Sequence, residues 1–161
     1  MVRPATEEDL PAALELFAAL DSHQHGWRVF EPRPTAADDA EARYRTALGL
    51  DPDALHVVAD EGGRLLGMAF ARIEALSSIS DERSAELSNV IVREEARRRG
   101  IGEALVTEVG RWASGRGVRR VVIKTYAAND LAMQFWEALG FRPRYVQLTA
   151  VAEELGARPH I

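Results

Sequence analysis

Six consecutive residues, Arg97-Arg98-Arg99-Gly100-Ile101-Gly102, carry the sharpest chemical signal in the chain. They fall between an apolar strand-like run, Val90-Ile91-Val92, and a helical run that begins Glu103-Ala104-Leu105. Glycines let a backbone approach a ligand closely, and a helix N-terminus offers unpaired N–H groups and the positive end of a dipole. With arginines alongside, the pattern predicts an anion site that suits a pyrophosphate. A dinucleotide-binding turn wants a third glycine where Leu105 stands, and a P-loop wants Gly-Lys-Ser/Thr after four intervening residues. Both patterns fail. On these residues alone, a tight strand-to-helix turn with a solvated arginine run stays open.

The elements that must position this turn follow from periodicity. Val2-Arg3 reads as a short strand, Thr6 and Asp9 as turn and cap residues, and Pro11 suits a first helical turn. Leu10, Leu14, Phe17 and Ala18 then share one helical face. Residues 21–34 have no steady period and read as a loop, after which Thr35 caps a second helix ending near Gly49. Leu55 to Ala59 and Leu65 to Ile73 are strand-like, joined across Asp60-Glu61-Gly62-Gly63 as a hairpin. Ser77 to Ser84 reads as a polar loop and Ala85 to Val92 as a central strand. A helix follows from Gly100 to Trp112, then a strand from Val121 to Thr125, then a helix capped by Asn129 and stopped by Gly140. Phe141 onward, through Tyr145, Val146 and Leu148, is expected to close the sheet. The order β-α-α-β-β-β-α-β-α-β predicts an α/β fold with helices on both faces of a mixed sheet.

A length of 161 residues fits one domain, spanning 1–161, since two would leave too little core for either. No uncharged stretch exceeds eight residues, so no membrane-spanning helix of about 20 apolar residues is expected. The N-terminus meets Arg3, Glu7, Glu8 and Asp9 at once and has no apolar leader core, which predicts a cytoplasmic protein. Cysteine is absent, so the chain offers neither thiolate metal ligands nor an acyl-cysteine intermediate. The net charge of −5 argues against a nucleic-acid binder. It is unevenly spread: residues 1–41 hold nine carboxylates against three arginines, and residues 93–120 hold eight arginines against four glutamates. The basic segment suits a phosphate-bearing ligand and the acidic one a cation, against the plainer reading of a solvated mixed surface.

The pattern Arg97-x-x-Gly100-x-Gly102 after a central strand resembles the signature of the GCN5-related N-acetyltransferases. The similarity continues at Asn129-x-x-Ala132-x-x-Phe135-Trp136-x-x-Leu139-Gly140-Phe141, which looks like that family's second cofactor-contacting segment, and at the opening Val2-Arg3-Pro4-Ala5-Thr6 through Asp9-Leu10. Together these span roughly residues 2–148. The resemblance implies a single-domain fold with a mostly antiparallel sheet and splayed central strands. It implies acetyl-CoA as cosubstrate, its pyrophosphate on the backbone amides from Arg98 to Gly102, with Arg97, Arg99 and Ile101 in the same turn. The pantetheine arm would run along Val90, Ile91 and Val92 like an added strand, and Asn129 would touch it near its end. Asn129 also reads as a plain helix N-cap.

The reaction so implied is attack of an amine on a thioester carbonyl, with a backbone N–H near Val90 stabilising the oxyanion. An alkyl amine with a pKa of about 10 needs about 4 kcal/mol of deprotonation at pH 7, which a carboxylate can manage directly or through water. Glu86 is the chosen base: it sits at the start of the central strand, and alternation puts it with Ser88 and Val90 on the face of the expected oxyanion donor. Several family members carry a glutamate at the matching position, and a solvated strand-end glutamate is the plainer reading. Glu74 is the weaker contender. Where many members place a tyrosine acid, this chain has Trp136, whose indole is no acid near neutral pH. Tyr126 is an alternative phenol, and coenzyme A can also leave as thiolate. His23 and His25 lack a third metal ligand nearby, so no metal is expected. Trp27, Phe30 and Glu31 are candidates for an acceptor pocket. The expected acceptor is a small-molecule amine, with a protein amine open, and a homodimer is compatible with the reading. The rival class is a non-catalytic acyl-CoA sensor, suggested by Trp136 and by Asn89 where others carry a carboxylate.

Overall fold

A computed structural model describes residues 1–28, 35–48 and 51–157. One five-stranded sheet runs in the order β1 (Val2–Pro4), β2 (Ala54–Glu61), β3 (Arg64–Ser77), β4 (Ser80–Val92) and β5 (Val121–Ile123). The first four strands pair antiparallel, whereas β5 pairs parallel to β4 because a helix, α3 (Ile101–Gly115), carries the chain back to the same end. The α/β architecture with a mostly antiparallel sheet is the one expected.

The two faces of the sheet are covered differently. Helices α1 (Leu10–Gln24) and α2 (Ala36–Ala47) lie on one face, where Leu10, Ala13, Leu16 and Tyr44 pack on Val58, Leu65 and Met68. Helix α3 covers the other with Leu105 and Val109 on Val57, Ala69, Ala71 and Leu87, joined by Trp136 from α4 (Asp130–Ala138). The entry to α1 is fixed by charge. Arg3 forks Asp9 at 2.7 and 2.8 Å, and Asp9 accepts from the Thr6 amide at 2.8 Å. The Arg3 hydrogen bond draws the pKa of the Asp9 carboxyl down to about 2, overcoming its burial.

Several boundaries differ from those read in the sequence. Asp21 to Gln24 continue α1 and a 3-10 turn at His25–Trp27 follows, so the first half of the expected loop is helical, while its residues 29–34 lie outside the described ones. The supposed polar loop at Ser77–Ser84 is mostly strand. There β3 and β4 run on as a two-stranded ribbon whose side chains meet solvent and form ion pairs such as Arg83 with Asp53 at 2.5 Å. The expected last strand is absent. Residues 141–150 form no strand, with Tyr145, Val146 and Leu148 at 94%, 80% and 87% exposure, and a short helix, α5 (Ala152–Gly156), follows. Tyr145 and Val146 are adjacent rather than alternate, and Pro143 removes a ladder donor, so the segment lacks a clean period of two. The expected α2 terminus at Gly49 lies outside the described residues, as do Phe30 and Glu31. Among the described residues no helix is long and apolar enough to cross a membrane.

Candidate functional site

The site is built where the sheet comes apart. Strands β4 and β5 share only three rungs, Ala85 with Val121, Glu86 with Val122 and Leu87 with Ile123. Beyond Leu87, β4 continues to Val92 with no strand on that side among the described residues. Burial records the fork. Ala85 and Leu87 are 0% and 1% exposed, yet Ser88 through Val92 are all only half-buried although β4 is an inner strand. An edge of backbone N–H and C=O groups is thus left open beside an apolar wall, a place where an extended chain can add as a strand.

A bulge sits at the same point. Met68 pairs with Ile91 and Phe70 with Ser88, so Ala69 on β3 faces two residues, Asn89 and Val90. Asn89 takes φ +51°, in the left-handed region that asparagine tolerates better than most side chains. The extra residue corrects the expected alternation. Val90 packs into the α3-side cluster and Ile91 into the α1-side cluster, so Glu86 and Ser88 share the α1 side while the Val90 side chain does not. A backbone donor at Val90 does not depend on that side-chain face.

The arginine turn lies past the open end of β4. Arg98 has φ +60° and Gly100 φ +76°, and the chain then enters α3. Among the described residues, Asn89 and Arg98 are the non-glycine positions with positive φ, and both are at this site; such strain costs of order 1–3 kcal/mol and persists where the surroundings impose it. The first amide of α3 to find a helical acceptor is Ala104, bonded to Gly100 O at 3.0 Å. The amides of Arg98 through Glu103 make no backbone hydrogen bond among the described residues, which leaves a cradle of donors at a helix N-terminus. Arg97 reaches back to Val92 O at 3.3 Å, and Arg99 pairs with Glu61 at 2.5 Å. Gly102 also serves the packing of the turn. A Cβ there would stand 3.1 Å from Cζ of Phe135, so its missing side chain admits the α4 ring.

The remaining candidates divide. Glu86 on β4 is brought to the fork, its side chain 32% exposed, and accepts from Lys124 Nζ at 2.9 Å. Glu74 opposes Ser84 in the outer ribbon, away from the fork, beside Arg72. Asn129 caps α4, its Oδ1 accepting from Ala132 N at 3.1 Å, as the N-cap reading had it. Trp136 is 7% exposed and wedged between Phe135 and Phe141 in the core, so its indole faces no open slot among the described residues. Tyr126, just after β5, lies against Trp27 with ring centroids 6.4 Å apart, and Trp27 meets His23 edge-on at 5.2 Å. The turn after α1 is thereby laid on the end of β5.

On the α1 side, a pocket lined by Phe17, Arg43, Tyr44, His56, Phe70 and Asn89 reaches the bulge. Sequence reasoning misses it, because its members come from α1, α2 and three strands. His56, Phe70 and Ser88 form one row across the sheet. His56 is 7% exposed, edge-on to Tyr44 and Phe70, and neither ring nitrogen has a hydrogen-bond partner among the described residues. Burial pulls its pKa down to about 4, so the imidazole is neutral at pH 7. Burial first, then the nearby Asp9, raises the Tyr44 phenol, whose O–H donates to Thr6 O at 2.8 Å.

Known proteins share this sequence pattern and fold. The sequence model of the Acetyltransferase (GNAT) family matches residues 15–141. An uncharacterized N-acetyltransferase of Methanocaldococcus jannaschii is 26% identical over 149 residues, covering 90% of this chain, which spans only 62% of that protein's length. Glucosamine 6-phosphate N-acetyltransferase 1 of Oryza sativa subsp. japonica is 29% identical over 120 residues, 73% of this chain and 71% of that one. A predicted acetyltransferase of Clostridium acetobutylicum, solved with acetyl-CoA, has the same fold at 13% identity, with a TM-score of 0.76 over 96% of this chain and 97% of its own. With the family model matched over most of its length, the chain belongs to the Acetyltransferase (GNAT) family.

Proposed function

We propose that this chain moves the acetyl group of acetyl-CoA onto the primary amine of a small molecule by direct attack in a ternary complex. The coincidence of the β4 bulge with the β4–β5 fork carries the reading. It puts an open backbone edge, Ser88 to Val92, between the donor-rich turn at Arg98–Glu103 and the pocket beneath α1 and α2. In this reading the turn holds the pyrophosphate, the open edge pairs with the pantetheine amides, and the Val90 amide donates to the developing oxyanion. Val92 and Ile91 wall the arm, while Asn129 acts through the cap that starts α4.

The chain has no cysteine, so no acyl-cysteine relay is available and the amine attacks the thioester itself. Glu86 takes the amine proton, directly or through water. The rival titratable groups nearest the pocket are worse placed to take the proton, since the His56 ring is buried edge-on between Tyr44 and Phe70, where an imidazolium is disfavoured, and the raised Tyr44 phenol stays protonated and donates to Thr6 O. Glu86 must first release Lys124, but an ion pair whose lysine is 86% exposed is worth only about 0.2–1 kcal/mol. The leaving thiolate takes its proton from water or from Tyr126, since Trp136 is buried.

A small acceptor fits the pocket's aromatic walls. Arg43, exposed at the rim, offers a cation to an anionic substituent such as the phosphate of glucosamine 6-phosphate, the amine named for the rice relative. The features that suggested a sensor have structural duties here, Asn89 in the bulge and Trp136 in the core. The deciding experiment is free-thiol release at saturating acetyl-CoA across amino sugars, polyamines, amino acids and peptide amines. Turnover is expected with small amines, favouring anionic ones. Turnover confined to peptides would overturn the small-molecule assignment, and acetyl-CoA binding without turnover on any amine would overturn the catalytic one.

A further inference from the structure

Of the 161 residues only Lys124 is a lysine, against nineteen arginines. Guanidinium groups stay protonated at any ordinary pH and are not acyl acceptors, whereas a lysine amine becomes a nucleophile on losing one proton. The single side-chain amine stands one residue beyond Ile123, the last rung of the β4–β5 ladder, and therefore at the mouth of the fork. Ile123 packs toward α3, so alternation turns Lys124 to the α1 side, where Nζ meets Glu86 Oε1 at 2.9 Å. With 86% of its side chain exposed, it is free to swing along the opening. In the free chain its ammonium occupies the position on Glu86 that an acceptor's ammonium would need.

We propose that Lys124 is an internal acceptor, acetylated by its own chain. The inference rests on the function proposed above. Glu86 or solvent removes one proton from the ammonium, and neutral Nζ attacks the thioester carbonyl carbon. The C–N bond forms, the C–S bond breaks with its electron pair on sulfur, and the second nitrogen proton passes through Glu86 or water to the thiolate. The products are Nε-acetyl-Lys124 and coenzyme A. The acetylated side chain carries no charge and no longer pairs with Glu86, so the modification alters the acceptor side of the site.

The test incubates the full chain with acetyl-CoA and no added amine, follows intact mass, and maps the label by peptide mass spectrometry. Acetyl-CoA binding is measured in parallel by thermal shift. A gain of one acetyl group on Lys124 is expected, at a first-order rate that does not change over a tenfold range of protein concentration. It should be suppressed by excess coenzyme A and lost in Lys124→Arg. Binding without label on Lys124 overturns the proposal and leaves the acetyltransferase reading intact. Label that grows with protein concentration, or that persists under excess coenzyme A, also overturns it, because the transfer is then intermolecular or non-enzymatic. Absence of acetyl-CoA binding overturns both readings.

Discussion

Replacing His56 by leucine removes a titration that the fold pays for in acid. The ring is buried between Tyr44 and Phe70 with both nitrogens unpartnered among the described residues, and burial lowers its pKa from 6.5 to about 4. The folded chain therefore holds the imidazole neutral, while the unfolded chain takes up a proton near pH 6.5. Between those values the unfolded state binds more protons, so stability falls as pH falls and levels off for this group below about 4. A shift of this size corresponds to about 3 kcal/mol in full, with about 1.4 kcal/mol lost by pH 5.5 and about 2.5 kcal/mol by pH 4.5. Most carboxylates titrate lower: the Asp9 contribution, with its pKa near 2, is lost only as pH falls through about 4 to 2.

Urea unfolding of the wild type and His56→Leu at pH 7.0, 5.5 and 4.5 isolates the effect. At pH 7 the variant is expected within about 1 kcal/mol of wild type, since neither nitrogen gives up a hydrogen bond. The gap should then move in the variant's favour by about 1.4 and about 2.5 kcal/mol at the two lower values. Parallel curves for the two proteins would refute the reasoning, because they would mean that His56 is solvated or hydrogen-bonded in the folded chain.

Acetyl-CoA at about a hundred times its Kd should stabilise the chain by about 2.7 kcal/mol, read as a rise in Tm by calorimetry; no rise would count against the turn at Arg98–Glu103 as a pyrophosphate site. Glu86→Gln should lower kcat by about 10²–10⁴-fold with little change in acetyl-CoA affinity, and its rate should recover partly at higher pH; a near-normal kcat and pH profile would assign the proton to water. Asn89→Val should cost at least about tenfold in kcat/KM, because a β-branched residue resists φ +51°, whereas Asn89→Gly should keep most of the activity; equal loss in both would mean that the side chain, not the bulge, matters.

What could be read from the sequence was local. The arginine-glycine turn announced itself because its residues are contiguous and their neighbours switch from strand to helix within a few positions. The bulge at Asn89 was hidden, since a bulge is a mismatch of register between two strands and Ala69 lies twenty residues away in the chain. That mismatch is why alternation assigned the Val90 side chain to the wrong face. The pair of Glu86 with Lys124 depends on the parallel rung between Glu86 and Val122, a contact across α3 that no spacing rule anticipates. One signal was available: a lone lysine directly after an apolar strand. Polar composition misread the Ser77–Ser84 ribbon, because a two-stranded extension has no buried face to impose alternation.

The uneven charge acquires a geometric meaning once the faces are assigned. The acidic residues 1–41 supply α1 and the start of α2, both on the pocket side of the sheet, whereas the basic residues 93–120 form the arginine turn and α3 on the other side. Much of each is paired locally, Asp9 with Arg3 and Glu15 with Arg93, so what acts over distance is the excess. Screening confines that excess to about 8 Å at physiological salt, so each charge acts near its own face rather than across the whole molecule. In the proposed reaction the anionic cofactor thus meets the basic side and the ammonium end of the acceptor the acidic side, with Arg43 at the pocket rim left for an anionic substituent at the acceptor's other end, and the two meet at the fork between β4 and β5.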